Sequence, residues 1–409
     1  MRKKFELDFL GQYYASIINE EQSGSFSMTI HLKEALNSNY LKEALLDLKE
    51  QFPFLSGQLR KNFFYYEYEV IPSEALNMLS EDFLKSTNQE TVSNQQVFKV
   101  IYGAFHFSVE VNHTLCDGRT LMKITKFLVT QYFERLGIKE NKKEISDSLH
   151  LQDSEYLENA YLHFTKLNDE KERHRKKAVP LKEKAYRPLV SEKASIQTLT
   201  FKLSATKVKE AAKGYQATIT EYLLAMILKG ISIERAYFRD ENPIIASIPM
   251  DCRSFFPTET MRNFVSAQTI RMPESEAIET MIKKIKAQFN SIDKELIYED
   301  FSSLQKMYQQ TRYVPRKFKD LYMKRMQKLE ATKYTTGLSN LGMMNFPDSI
   351  LNQIDFMEFS IDTVGETPYY FSCITVGDIL TLKATIVVDD TILINELEKS
   401  LNQKFGILH

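Results

Sequence analysis

The chain contains no tryptophan and is short of several other residues: 3 cysteines, 7 histidines, 11 prolines and 13 glycines in 409 residues. Each shortage excludes something. Cys116, Cys252 and Cys373 are odd in number and widely spaced, which rules out a disulfide scaffold and a cysteine-based metal site. Reduced thiols and a cytoplasmic location are the expectation. Charge of one sign is lacking too: Lys and Arg total 53 against 54 for Asp and Glu, a net charge of −1. The chain as a whole therefore has no general attraction for nucleic acid or an anionic surface. No apolar run reaches the length of a membrane span. Met1-Arg2-Lys3-Lys4 is followed at once by Glu6 and Asp8, not by the apolar core of a signal peptide.

What is present describes a globular protein, with 43% hydrophobic and 26% charged residues. Its length exceeds what one hydrophobic core supports, so two domains are expected. Ser38 to Glu50 reads as a helix with Leu41, Ala44, Leu45 and Leu48 on one face. Phe52-Pro53-Phe54-Leu55 ends it, and Ser56-Gly57 begins an extended piece. Lys61 to Ile71, rich in tyrosine and phenylalanine, reads as strand. A long charged helix is predicted from Ser154 to Lys177. Arg173 to Val190, basic and holding Pro180 and Pro188, is the best linker; it divides the chain into 1–178 and 179–409. Beyond it the pattern restarts with a strand near Gln197 to Leu203 and a helix from Thr206 to Lys213, stopped by Gly214. Thr218-x-x-Glu221 reads as a capping box for the helix Tyr222 to Ile231. Ile244 to Pro249 and Leu380 to Val388 read as further strands. Strands and helices alternate in both halves, which predicts an α/β protein of two layered domains.

The densest signal is Val111-Asn112-His113-Thr114-Leu115-Cys116-Asp117-Gly118-Arg119. The chain leading into it alternates, with Phe105, Phe107, Val109 and Val111 on one face and His106, Ser108, Glu110 and Asn112 on the other. His113 continues the apolar set. An imidazole carried into an apolar interior is held neutral, which a general base requires. After it, Leu121, Ile124, Phe127, Leu128 and Tyr132 form a helical face. A plainer reading makes His113 a core histidine and Asp117 the cap of that helix. Cys116 beside a histidine raises a thiol nucleophile, but no strand-to-helix nucleophile context marks it.

With these pieces placed, the chain resembles the chloramphenicol acetyltransferase-like superfamily. That group includes nonribosomal-peptide condensation domains, plant BAHD acyltransferases and the alcohol acetyltransferases with their mycobacterial polyketide-associated relatives. The likeness rests on four segments in order. Phe52-Pro53-Phe54-Leu55-Ser56-Gly57-Gln58-Leu59-Arg60 is similar to an early pro-x-leu-arg segment, and the His113 motif follows. Ile248-Pro249-Met250-Asp251-Cys252-Arg253 with Arg262-Asn263-Phe264-Val265 is similar to a second-half arginine and gly-asn-phe segment. Gly337-Leu338-Ser339-Asn340-Leu341-Gly342 resembles the ser-asn-x-gly segment of the alcohol acetyltransferase branch. Two departures matter: Asn112 stands where many condensation domains have a second histidine, and the plant branch's tryptophan segment is absent.

The resemblance implies two αβ subdomains, each a mixed sheet backed by helices, meeting at a tunnel that His113 faces. It implies an acyltransferase that moves an acyl group from coenzyme A or a phosphopantetheine carrier protein to an acceptor hydroxyl, with no permanent cofactor and no metal. An amide-forming enzyme acting on an amine and a non-catalytic binding protein are the alternatives. His113 would act as base. Asp117 would fix the loop through an arginine, Arg60 first and Arg253 second. Gly118 permits a positive φ or a close approach, or is simply a glycine at a helix start. Ser339 and Asn340 would serve as oxyanion donors, or form an ordinary turn. Arg312 to Lys328 interleaves Arg312, Arg316, Lys317, Lys319, Lys324, Arg325 and Lys328 with apolar residues. It reads as an amphipathic helix with a basic solvated face; a carrier, coenzyme A phosphates or a membrane surface are other partners for it.

Overall fold

The computed structural model describes residues 3–18, 24–71, 77–87, 97–138, 156–168, 184–188, 196–273, 276–361, 367–387 and 392–407. Among them two large mixed sheets carry the architecture. The first runs β12(Ile354–Ile361), β2(Ser25–Leu32), β7(His106–Asn112), β6(Phe98–Tyr102), β5(Met78–Ser80), antiparallel except at the β5–β6 edge. The second runs β10(Val265–Met272), β9(Ile244–Asp251), β11(Thr336–Met344), β13(Tyr369–Val376), β14(Ile379–Ile386), β8(Gln197–Ser204), with β11 parallel to both neighbours. A small sheet joins β1(Lys4–Glu6), β4(Tyr66–Val70) and β3(Gly57–Lys61).

Helices back each large sheet for the reason their sequences predict. Ser38–Gln51 turns Leu41, Ala44, Leu45 and Leu48 inward, and Gly118–Arg135 buries Leu121, Ile124 and Leu128 in the same core. In the second unit Ile219–Tyr237 opens on the capping box of Thr218 and Glu221 and is buried on most sides. It packs with Ile278–Asn290 and Ile392–Phe405 around Leu224, Ile282 and Leu397.

Some sequence expectations are corrected. Lys61 to Ile71 is not one strand: the chain turns at its aromatic run, where the Asn62 N–H donates to the Tyr65 carbonyl at 2.9 Å, and β3 pairs with β4. Phe105, placed on the apolar face, precedes β7 and is 55% exposed. Gly214 is the last residue of the helix Ala205–Gly214, and the left-handed residue beyond it is Gln216, at φ 54°. Of the long helix expected from Ser154 to Lys177, Ala160–Asn168 is helical; the chain is not helical at Leu157 to Asn159, and residues 169–177, like the division at 178/179, fall outside the described residues.

The two halves also interleave. β12 comes late in the chain yet pairs with β2 along the edge of the first sheet. Ser372 and Thr381 of the second sheet donate hydroxyl bonds to the β12 carbonyls of Phe359 and Met357. The first sheet therefore depends on both halves of the sequence, while every strand of the second comes from the later half. Among the described residues, no helix is long and apolar enough to cross a membrane.

Candidate active site

β7 delivers His113 to the junction of the two sheets. The loop after it is tied on every side. The His113 N–H donates to the Gly24 carbonyl at 2.9 Å, and the Asn112 Oδ1 accepts from the Thr114 N–H at 2.9 Å. Gly11, on the first helix Phe9–Ile17, lies so close that a Cβ there would sit 2.7 Å from the Thr114 carbonyl. The imidazole is flanked by Tyr14, stacked at 4.5 Å and 8°, and by Phe26 at 4.2 Å.

Asn263 orients the ring. Fully buried, its Nδ2 donates to the His113 carbonyl at 2.9 Å and faces an Asp8 carboxylate oxygen at 3.4 Å. Its Oδ1 must then face the His113 Nδ1, at 3.5 Å. That favours the tautomer with the proton on Nδ1, and the Cys116 backbone also bonds the ring. Burial drives the His113 pKa down from 6.5 to about 4, against the opposing pull of Asn263, Asp117 and the Cys116 backbone. The imidazole is neutral at pH 7.

Asp117 clasps the two halves together. One carboxylate oxygen accepts from the Thr120 N–H at 3.2 Å and caps the helix Gly118–Arg135. The other accepts from Arg253 at 2.8 Å and from the Phe264 N–H at 2.9 Å. Arg253, in the turn after β9, also donates to Asp251 at 2.9 Å, to the Thr260 carbonyl at 2.9 and 3.1 Å, and to the Arg262 carbonyl at 2.7 Å. Burial works against its charge, yet Asp117 and Asp251 together hold its pKa above the ordinary arginine value.

His113 lines a cavity of about 1010 Å³ built from both halves. Tyr14 and Ser25 contribute from the first, Ser266, Asp300, Ser339 and Tyr370 from the second. The volume is that of a site for a sizeable organic ligand. Asp300, whose carboxyl is pushed up by burial against the Ser266 hydroxyl that bonds it, is one of several acidic residues in the lining, with Asp251, Asp320 and Glu330 among the others.

No family model matches this sequence, and no curated protein is similar enough to be matched by sequence. Solved structures are. Polyketide synthase associated protein 5 from Mycobacterium tuberculosis superposes over 97% of this chain and 96% of its own, at a TM-score of 0.64 and 14% identity. TRI101 of F. sporotrichioides, solved with coenzyme A and T-2, gives 98%, 99%, 0.64 and 13%. The epimerization domain from the third module of tyrocidine synthetase B gives 99%, 95%, 0.60 and 12%. Condensation domains and acetyltransferases share this two-unit architecture. The fold is the one that these condensation-domain and acetyltransferase structures share.

Within that fold the sequence-predicted residues separate. Arg60, first choice as partner of Asp117, is instead paired with Glu69 at 2.7 Å, on a strand of the small sheet. Arg253 takes the role because the turn after β9 meets the loop after β7. Asp117 fulfils both readings at once, helix cap and arginine partner. Gly118 is not at positive φ; a Cβ there would come within 2.7 Å of Leu341. Its smallness leaves room for the Leu341 side-chain tip.

Ser339 and Asn340 both line the cavity, but they differ. Asn340 spends its amide locally, Nδ2 donating to Thr220 at 2.9 Å and Oδ1 accepting from the Gly342 N–H at 2.8 Å. The Ser339 hydroxyl, by contrast, has no hydrogen-bond partner among the described residues. Cys116 is buried and its thiol pKa stands well above the ordinary value, first through desolvation and then through Asp117. A protonated, enclosed thiol is no nucleophile. Asp8, Tyr14 and Asn263 are site residues that sequence reasoning missed. Asn263 lay in a segment quoted for the likeness, and its position two residues before β10 was the only signal.

The low histidine pKa fixes a stability trend. Below pH 6.5 the unfolded chain takes up a proton at His113 that the folded chain refuses down to about 4. Stability is complete above that window and falls as pH drops through it. At about 1.4 kcal/mol per pKa unit, the loss is on the order of 3 kcal/mol. Urea titrations across the window should show this slope in the wild type and a shallower one in His113→Gln.

Proposed function

We propose that this chain is a thioester-dependent acyltransferase, moving an acyl group from coenzyme A or a carrier-protein phosphopantetheine to an acceptor hydroxyl. The observation that carries the reading is an imidazole held neutral by burial, lining a cavity that both halves of the chain build. Nε2 takes the hydroxyl proton as the acceptor oxygen attacks the thioester carbonyl. The carbon–sulfur bond then breaks, and the same proton passes to the departing sulfur as the free thiol forms. No covalent enzyme intermediate is required when donor and acceptor meet in one complex. Ser339, which lines the same cavity, would donate to the oxyanion, a contribution typically worth about 3–4 kcal/mol. The enclosed cavity limits competing hydrolysis.

Solved structures of the same fold include acetyltransferases crystallised with coenzyme A, which supports a thioester donor. Asn112 supports ester over amide formation: it is buried and occupied with the Thr114 backbone, so it adds no second base. The test is to incubate the full chain with a panel of acyl-coenzyme A thioesters plus alcohols or amines and follow free thiol. Alcohol-dependent release, lost in His113→Ala, is expected. Release with amines alone would replace the reading by amide formation, and none with any pair would leave a binding protein.

A further inference from the structure

The helix Arg316–Ala331 keeps two kinds of company. Its inward positions, among them Lys319, Met323, Met326 and Gln327, line the cavity. Its outward face covers nothing: Phe318 is 68% exposed, Leu321 70% and Leu329 51%. By helical periodicity these three form one stripe, with Tyr322, half exposed and also reaching the cavity lining, at its edge. Lys317, Lys324 and Lys328 run along one side of the stripe and Arg325 stands within it, all exposed. Both acidic residues of the helix before its last position, Asp320 and Glu330, belong to the inward face, where Asp320 bonds Arg316 and the Tyr66 hydroxyl. The outward face thus carries four positive charges and no negative one, on a chain whose net charge is −1.

The apolar stripe continues beyond the helix. Tyr313 is 76% exposed and Phe63, at the tip of the β3–β4 hairpin, 69%. The tip is fastened to the helix start, with the Arg316 N–H donating to the Phe63 carbonyl at 2.8 Å and Nε to the Asn62 carbonyl at 3.0 Å. Phe64 packs edge-on against Tyr313 at 6.0 Å, and the exposed Lys61 follows on the hairpin. A soluble surface rarely sets this many large apolar tips side by side without a partner.

We infer that this surface docks on an anionic lipid bilayer, with the helix lying in the headgroup plane. Aromatic and leucine tips bordered by lysine and arginine, on a helix too polar to span, are the chemistry of an interfacial element. A second copy of the chain fits poorly, because a two-fold contact would press like charges together. The tips stand on convex elements, a helix and a turn, which enter a fluid phase more readily than they receive a partner's side chains.

The test uses the full chain and vesicles of phosphatidylcholine, alone or mixed with an equal part of phosphatidylglycerol, followed by co-sedimentation. Binding to the mixed vesicles is expected to exceed binding to phosphatidylcholine by about tenfold or more and to weaken with salt. Phe318→Ser with Leu321→Ser should abolish binding at unchanged melting temperature, since both side chains are exposed and neither lines the cavity. Lys324→Gln with Lys328→Gln should lower it about tenfold or more. A chain left in the supernatant with anionic vesicles at low salt overturns the inference. So does equal binding by the serine variant, or a dimer that the serine variant splits without any vesicle binding. The readout is independent of turnover, so it stands or falls separately from the acyl-transfer reading.

Discussion

His113→Ala is expected to lower acyl transfer by about 10²-fold or more while the fold survives. The ring is held by contacts to its backbone as much as to its side chain: the His113 N–H bonds Gly24 and the carbonyl accepts from Asn263, and neither depends on the imidazole. The variant therefore keeps its loop, its helix cap and its Arg253 clasp, and loses the neutral imidazole that the loop presents to the cavity. The pH dependence of the wild type follows the same logic. With the pKa at about 4, the base stays deprotonated throughout the neutral and mildly acidic range, so the acid limb of kcat/KM should lie well below the ordinary histidine value. Thiol-release rates of wild type and variant, with circular dichroism to show that both are folded, decide it. Near-native rates in the variant would remove His113 from the chemistry.

How much of this was legible beforehand differs from one residue to the next, for physical reasons. The strand into His113 was readable because burial on one face writes a period of two into the sequence, and Phe107, Val109 and Val111 keep it. Asp117 was readable because a capping residue is a local matter. Its partner was not. Arg60 and Arg253 lie far apart in the chain, and only the meeting of the turn after β9 with the loop after β7 chooses between them. Tyr14 and Asp8 were silent for a similar reason: the helix Phe9–Ile17 carries no strong local signature, and its value to the site comes from where Gly11 lets it rest. The crossing of β12 into the first sheet was likewise beyond reach, since strand pairing across some 300 residues leaves no local pattern. The tyrosine- and phenylalanine-rich run after Lys61 misled, because aromatic residues mark strands and exposed turns alike when the turn has a surface to meet.

Arg253→Ala should be the most damaging single change to stability, at about 3–5 kcal/mol. The guanidinium is 7% exposed and Asp117 1%, so water reaches neither well enough to replace a lost partner. Removing the side chain leaves the Asp117 carboxylate with two backbone N–H donors and no counter-charge. It also strands the carbonyls of Thr260 and Arg262, which have accepted from the same fork. Arg253→Lys should recover part of the loss, because an ammonium restores charge but cannot span Asp117, Asp251 and two carbonyls at once. Asp117→Asn should cost less than Arg253→Ala, since Asp251 and the carbonyls still hold the guanidinium. By contrast Arg60→Ala should cost no more than about 1 kcal/mol, because its pair with Glu69 sits on a side chain that is 44% exposed. Chemical denaturation of the four variants, with a double-mutant cycle between Asp117→Asn and Arg253→Ala, measures the clasp directly. A large coupling energy, accompanied by loss of turnover in proteins that still fold, is the expected outcome. The residues that bind the halves together are then also the ones that hold the His113 loop against the cavity. Additive effects with no coupling would mean that the two residues stabilise their own turns separately, and that the loop is positioned by Asn263 and Gly11 instead.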